Sequence, residues 1–348
     1  MFTDAAFDNH ERVEFSFDAD TGLRTIIAIH STALGPAAGG CRLWEYNQPE
    51  EALHDALRLS KGMSFKNAVA ELPFGGGKAV ILGPVKEHLR AQVFEAFGRT
   101  VQRLSGAYFT AEDVGVSVSD MESVARNTKF VSGLKRDKGS AGGDPSPFTA
   151  RGVLKGIEAA ATIKFGRSDL EGLKIAVQGL GGVGGNLCRL LAKCGVSLVV
   201  ADINKDVVDK TCQETGAERA DISEILYSDV DVLSPCALGG VLTSDNVKKI
   251  RAKIVAGGAN NQMASIEVGQ QLFDKGILYA PDYVINAGGI ITVAAEYQGA
   301  NRMDDVLARI DYIRDRVTRI FEQSMKTGTP THILADNLAR NKIAMASR

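Results

Sequence analysis

Residues 174–202 constrain the fold most tightly. An apolar run from Lys174 to Gln178 leads into Gly179-Leu-Gly181-Gly-Val-Gly184, then a helical stretch, then a second apolar run ending in Asp202. A GxGxxG pattern alone is weak. Here a strand precedes it, a helix opens on it, and an acid stands 18 residues beyond Gly184, which completes a βαβ unit of the dinucleotide-binding kind. In such a unit the glycines allow the tight turn and bring pyrophosphate onto the helix N-terminus, and the acid accepts from the ribose hydroxyls. Gly179, Gly181, Gly182, Val183, Gly184 and Asp202 are therefore the expected cofactor residues. Asp202 would repel a 2′-phosphate and no arginine follows it, so NAD is favoured over NADP; Lys205 is a weak counter-argument.

A second glycine-rich stretch, Leu72-Pro-Phe-Gly75-Gly-Gly-Lys78-Ala79, lacks the spacing of a P-loop and has alanine where Mg²⁺ binding needs Ser or Thr. Lys78 must serve another purpose. Lys66 stands 12 residues before it, and Asp113 follows an apolar strand in Thr-Ala-Glu-Asp-Val-Gly. Singly, each reads as a snorkelling lysine or a turn aspartate. Beside a dinucleotide unit, two lysines and an aspartate suit an anionic substrate and a proton-transfer pair. Glycines and apolar neighbours disfavour a charged amine, so the pKa of Lys78 is expected to fall far enough for it to act as a base near neutral pH. The glycines are expected to let substrate and backbone approach closely.

At 348 residues the chain is long for one core, and two domains are expected. The net charge of −2, with no run of one sign, argues against nucleic acid or a membrane surface as partner. No apolar run approaches the ~20 residues of a membrane span. The N-terminus is acidic and polar, unlike a secretion signal. The five cysteines are scattered without a CxxC pair, as in a reducing cytosol. A cytoplasmic location is expected. The five histidines make no ligand pair, so no metal is expected.

Strands are expected at 12–18 and 23–30, a glycine-rich loop at 35–42, helices at 49–63 and 90–106, and a short helix opened by a capping box at Ser119–Glu122. Residues 133–149, rich in Gly, Ser, Pro and charge, read as the connector. Beyond it, helices and short strands alternate, which means a parallel sheet. The fold class is α/β in two domains: a mixed-sheet substrate domain and a Rossmann-type, doubly wound parallel-sheet NAD domain. The expected division is 1–135 for substrate binding, catalysis and oligomerisation, 136–328 for NAD, and 329–348 as a C-terminal helix returning to the first domain.

The stretches LGPAAGGCR, SKGMSFKNAVAELPFGGGKAVI, TAEDVG, GDPSPFT, VQGLGGVGGNL, PCALGG, AGGANNQ and YAPDYVINAGG, in that order, resemble the amino-acid dehydrogenase family of glutamate, leucine, valine and phenylalanine enzymes. The pattern is nearest to the leucine members. The resemblance implies that Lys66 binds the substrate carboxylate with help from the Gly39–Gly40 backbone. It implies that Lys78 activates water and stabilises the carbinolamine, and that Asp113 shuttles the amine proton. Asn260 would contact the amino or keto group and the cofactor; Thr149 and Asn286 resemble nicotinamide contacts. Cys236 and Ala237 resemble a strand end beside the nicotinamide ribose, with Cys236 more readily a structural thiol than a nucleophile. The two domains of such enzymes face a cleft that closes, and relatives are homo-oligomers.

The glutamate members hold the side-chain carboxylate with a lysine before the Gly–Gly pair and a serine after NAGG. Ala38 and Val293 stand at those positions, and burying a carboxylate there would cost several kcal/mol. Ala38, Ala111, Ile290 and Val293 would welcome an apolar side chain instead. Leucine and phenylalanine members tend to have leucine at Ala38, so the pocket here is larger. The implied activity is reversible NAD-dependent oxidative deamination of an apolar L-amino acid, leucine or valine first and phenylalanine second, to the 2-oxo acid and ammonia. The rival from another class is a catalytically silent NAD-sensing module, against which the joint presence of Lys66, Lys78 and Asp113 argues.

Overall fold

The computed structural model describes residues 2–134, 144–299 and 302–347. The chain divides into two compact units, Met1–Asp144 with Thr292–Met303 and Leu338–Arg348, and Pro145–Ile291 with Asp304–Asn337.

In the first unit the elements run β1 (Arg12–Asp18), β2 (Leu23–Ser31), β3 (Ala37–Ala38), β4 (Cys41–Trp44), α1 (Pro49–Val69), β5 (Gly75–Leu82), α2 (Arg90–Arg103), β6 (Tyr108–Phe109) and α3 (Val118–Ala125). They build a mixed sheet in the order β1-β2-β5-β3-β6, with β4 also on β5. β1–β2 and β2–β5 are antiparallel, and β3 and β4 lie parallel to β5. β2 is almost wholly buried and carries Ile26, Ile27 and Ile29, as suits a strand covered on both faces. β1 is an edge strand, with Phe15 60% and Phe17 71% exposed. One core gathers Phe94, Phe97, Tyr108 and Met121, each fully buried and worth about 1.5–3 kcal/mol for an apolar side chain of this size.

Three details differ from the sequence reading. Residues 35–42 are not wholly loop: Ala37–Ala38 and Cys41–Arg42 pair with β5. The capping box of α3 lies two residues earlier than expected: Ser117 is the N-cap and Asp120 closes the box, the hydroxyl and carboxylate each reaching the other's backbone N–H. Finally, the glycines of β5 admit protein, not substrate. A Cβ on Gly75 would lie 1.9 Å from the Ser31 carbonyl oxygen, and one on Gly76 would lie 2.0 Å from the Ser64 nitrogen of α1.

The second unit contains α4 (Ser146–Phe165), β7 (Lys174–Gln178), α5 (Gly182–Ala192), β8 (Ser197–Ala201), α6 (Lys205–Thr215), β9 (Glu218–Arg219), β10 (Val232–Pro235), α7 (Ser244–Val247), β11 (Ile254–Val255), α8 (Ile266–Asp274), β12 (Leu278–Tyr279) and α9 (Asp282–Ile285). After these come α10 (Gly288–Tyr297), α11 (Met303–Asp311), α12 (Ile313–Thr327) and α13 (Thr331–Ala346). The sheet order is β12-β11-β10-β7-β8-β9, and every pairing is parallel. β7 sits centrally with Ile175, Ala176 and Val177 fully buried. The chain moves from β7 to β8 on one side and to β10 on the other, which creates a topological switch point at the carboxyl end of β7.

The boundary expected at 135–136 lies outside the described residues. One later assignment changes. Residues 292–303, expected with the NAD domain, group with the first unit, where Tyr297 packs on Phe74 and Phe109 at 4.9 and 5.3 Å between ring centroids. The C-terminal helix is shared, with Leu338–Arg348 in the first unit and its start in the second. The Thr331 hydroxyl donates to the Tyr279 carbonyl at 2.6 Å and the Tyr283 hydroxyl donates to Asp336 at 2.8 Å, both in the second unit. Arg340 bonds Asp8 at 2.9 Å and Lys342 bonds Glu71 at 2.6 Å, both in the first. No helix of the described residues is long and apolar enough to cross a membrane.

The packing of α1 on β5 predicts opposite outcomes for two glycines. Gly76→Ala drives a Cβ into the backbone of Ser64 and should destabilise by about 1–3 kcal/mol. Gly62, inside α1, has nothing within 4 Å of a Cβ, and Gly62→Ala should stabilise by about 0.5–1 kcal/mol. Thermal unfolding of both variants checks this; equal midpoints would refute the packing account.

Candidate functional site

β5 delivers Lys78 into the first unit with 5% of its surface exposed. Its ammonium donates to Asp113 Oδ2 at 2.6 Å across 35 positions of sequence. The same oxygen accepts from Arg42 Nε at 3.2 Å. Arg42 comes from β4, where Cys41 pairs with Ala79 of β5 and bridges to Glu112 on its other side, so Arg42 and Asp113 fall side by side. Burial pushes the Asp113 carboxyl up, but Lys78 and then Arg42 more than offset this and hold it at about 2, so it stays a carboxylate at neutral pH. Arg42 also donates through Nη1 to Asp55 Oδ2 at 2.8 Å, and that oxygen accepts from the Tyr46 hydroxyl at 2.7 Å. Arg42 was not among the residues expected from sequence. The only cue is an arginine two positions after Gly40, a place where a surface residue reads the same.

The small residues around this pair are sterically required. A Cβ on Gly39 would lie 1.8 Å from the Gly77 carbonyl oxygen, and one on Gly40 would lie 2.9 Å from the Asp113 Cβ. The Tyr108 hydroxyl donates to the Gly39 carbonyl at 2.6 Å. Ala38 is buried in β3 opposite Gly76. Ala111, partly buried, accepts from the Cys41 N–H at 2.8 Å. Lys66 lies in the last turn of α1, one turn beyond Met63, which packs beside Gly39. Val293 and Tyr297 are four residues apart on α10 and so share a face. Phe74, immediately before the three glycines, completes an aromatic cluster with Phe109 and Tyr297. The first unit therefore carries both a buried ionic pair and an aromatic cluster.

The second unit gathers the expected cofactor residues at the switch point. Gly179 has φ +88°, and a Cβ there would lie 2.6 Å from the Ala237 Cβ, which places the loop against the end of β10. A Cβ on Gly184 would lie 1.9 Å from the Gly179 carbonyl oxygen, whereas one on Gly181 meets nothing within 4 Å. Gly181 caps α5, so open space lies before a helix N-terminus that favours anions. Gly182 and Val183 open that helix. Asp202 follows β8, accepting from the Leu180 N–H at 2.7 Å and the Asn204 N–H at 2.8 Å.

Cys236 accepts from the Gly258 N–H at 3.3 Å, and burial raises its thiol, which disfavours a thiolate nucleophile. Asn286 donates to Asn260 Oδ1 at 2.8 Å and to the Gly258 carbonyl at 3.2 Å. Its Oδ1 is buried without a partner among the described residues. Thr149 donates to the Pro145 carbonyl at 3.1 Å and lies against Gly289. Ile290 follows on α10, partly buried. A roomy helix N-terminus, a carboxylate beyond the second strand and an orphaned amide oxygen fit a nicotinamide dinucleotide: pyrophosphate, ribose diol and carboxamide respectively. Among the described residues no cluster of His, Cys, Asp or Glu could hold a metal ion.

Known proteins share this architecture. The Glu/Leu/Phe/Val dehydrogenase dimerisation domain matches residues 9–130, and the Glutamate/Leucine/Phenylalanine/Valine dehydrogenase model matches residues 199–347. The chain is 46% identical to leucine dehydrogenase of Geobacillus stearothermophilus, over 96% of this chain and 91% of that protein. It is 43% identical to phenylalanine dehydrogenase of Bacillus thermotolerans, over 96% and 88% respectively. The crystal structure of L-tryptophan dehydrogenase from Nostoc punctiforme superposes with a TM-score of 0.83 at 40% identity, covering 98% of this chain and 97% of that one.

The contrast between Gly181 and Gly184 yields a test. Gly181→Ala should leave thermal unfolding unchanged but fill the space before α5, weakening reduced-dinucleotide binding at least about tenfold in a fluorescence titration. Unchanged affinity would place the phosphates elsewhere.

Proposed function

The chain belongs to the Glu/Leu/Phe/Val dehydrogenase family, and on that premise we propose that it catalyses reversible, NAD-dependent oxidative deamination of an apolar L-amino acid, with leucine and valine preferred. The observation that carries the reading is the 2.6 Å contact between Lys78 and Asp113, in a chain whose other unit carries a dinucleotide loop. The amino acid's carboxylate is held by Lys66 and the Gly39–Gly40 backbone. Asp113, a carboxylate at neutral pH, takes the proton from the substrate ammonium, since only a free amine can become an imine. Bound NAD supplies the hydride acceptor for the substrate Cα. Lys78 then orients water, takes its proton as water attacks the imine carbon, and stabilises the carbinolamine that collapses to ammonia and 2-oxo acid. Asp113 returns the proton to the departing amine.

Cofactor choice follows from Asp202. Its carboxylate beside a 2′-phosphate would be repelled, and Ile203 and Asn204 supply no cation. Thr149, Asn260, Asn286, Cys236 and Ala237 line the nicotinamide end in this reading. Ala38, Ala111, Ile290 and Val293 receive the substrate side chain. None of the four can pair with a carboxylate, so glutamate is a poor substrate. An aromatic substrate is a second reading, favoured by the small side chain of Ala38. A pocket that merely differs in apolar shape separates substrates by only about 1–3 kcal/mol.

Copies of the chain meet through the first unit in this reading. Among the described residues β1 leaves its outer edge unpaired, Phe15 and Phe17 are exposed, and the matching domain model is described as a dimerisation domain. Phe17→Asp should reduce the mass found by light scattering; an unchanged mass places the contact elsewhere.

The function is tested with Leu, Val, Ile, Phe, Trp and Glu, each with NAD and NADP, followed at the absorbance of the reduced nicotinamide. Leucine or valine with NAD should lead and glutamate should be poorest. Lys78→Ala should bind the dinucleotide nearly as the wild type does yet lose turnover by about 10²–10⁴-fold, as for loss of a general acid–base. Unchanged turnover removes Lys78 from the chemistry, and no turnover with any substrate favours a dinucleotide-sensing role.

A further inference from the structure

Two cations share one carboxylate oxygen in the first unit. Asp113 Oδ2 accepts from Lys78 at 2.6 Å and from Arg42 at 3.2 Å. Arg42 is itself fixed from behind by Asp55, which also accepts from the Arg58 guanidinium at 2.8 Å through its other oxygen. The order of charge is therefore Lys78, Asp113, Arg42, Asp55, Arg58. We propose that Arg42 is a positioning residue that sets the charge state of the Lys78–Asp113 pair, by sharing the carboxylate and so loosening its hold on the lysine's proton. The proposal rests on the reading of Lys78 and Asp113 given above.

The physical problem is specific. A lysine in a partly desolvated ion pair keeps its proton because its partner's charge favours the ammonium. Water activation needs the free amine. A second cation on the same carboxylate offsets part of that negative charge and so weakens the preference for the ammonium form, while Asp113 remains ionised. Arg42 suits the task because a guanidinium stays charged throughout and its planar fork spans two carboxylates at once. Burial lowers the tendency of Arg42 to stay charged, but Asp113 and Asp55 outweigh it.

The other groups facing Asp113 leave this balance intact. Cys41 and Tyr108 are fully buried, and burial raises both the thiol and the phenol well above their ordinary values, so neither ionises near neutral pH. Tyr46, bonded to Asp55, is likewise raised by burial and by that bond. Burial pushes Asp55 up, but its bonds from Arg58 and Tyr46 and the charge of Arg42 hold it below its ordinary value. Glu112 precedes Asp113 in the chain, Asp120 of α3 acts on Cys41, and Lys66 lies on α1, which packs on β5.

The test is the pH dependence of kcat/KM for leucine oxidation, with two variants expected to move it in opposite directions. Removing the Arg42 charge raises the affinity of Lys78 for its proton, so Arg42→Gln should shift the ascending limb up by about half a pH unit or more. Asp55→Asn, which leaves the Arg42 charge less compensated, should shift it down. Arg42→Lys, which keeps the charge, should restore the limb towards its wild-type position while leaving kcat reduced. The same shifts should appear in the pH dependence of reductive methylation at Lys78, read by peptide mass spectrometry without turnover. If the wild type oxidises no amino acid, the proposed function fails and the methylation profiles still decide the role of Arg42. Coincident profiles for Arg42→Gln and the wild type, or shifts of one sign in both variants, would overturn the proposal. If Arg42→Gln does not fold, Asp55→Asn and Arg42→Lys decide it by the same criteria.

Discussion

The ion pair between Lys78 and Asp113 is the interaction on which the first unit is arranged. An ammonium 5% exposed is costly unless its charge is met, and a carboxylate at 2.6 Å meets it. Small residues make the meeting possible. Gly40 leaves room for Asp113, Gly76 leaves room for α1, and Gly39 lets the β3–β4 link lie on Gly77. Side chains at any of these places would separate elements that now hold the two charges together. The cost of so many glycines in regular structure is offset by a site whose charged groups are already oriented.

The second unit solves a different problem with the same residue type. At the switch point of its parallel sheet, Gly179 makes the turn, Gly184 lets helix and strand touch, and Gly181 leaves space open. Only at the last of these would an added Cβ meet nothing within 4 Å. Asn286, whose amide oxygen is buried without a partner among the described residues, shows a similar readiness, since a buried acceptor left unpaired is stabilised when a donor arrives. Family membership and local geometry thus agree on a nicotinamide cofactor, though neither depends on the other.

What was legible in the sequence follows the range of the forces involved. The βαβ unit could be read because strand, turn, helix and acid lie within a short span, and each has a local signature. β7 and Asp202 fall where the pattern placed them. Lys78 and Asp113 could be singled out as unusual residues, but nothing local says that they touch. Their pairing depends on the register between β4, β5 and the segment after β6, and only the folded sheet brings that register into view. Arg42 carries no local signal for the same reason: its place beside Asp113 comes from the Cys41–Glu112 bridge. The capping box of α3 was displaced by two residues because Ser117 and Ser119 both offer a hydroxyl, and the carboxylate that decides between them, Asp120, is also held by Arg90. The glycines of β5 were assigned to a substrate because a sequence cannot show that α1 lies against them. The division of α10 and α13 between the units was equally hidden, since a helix carries no local mark where its packing partner changes.

The proposed reaction puts the hydrogen of the amino acid's Cα on the nicotinamide. Turnover of leucine deuterated at Cα with NAD, followed by mass measurement of the reduced cofactor, tests it most directly. Reduced cofactor one mass unit heavier than that formed from ordinary leucine is expected. Reduced cofactor without the label, or none formed at all, would contradict it.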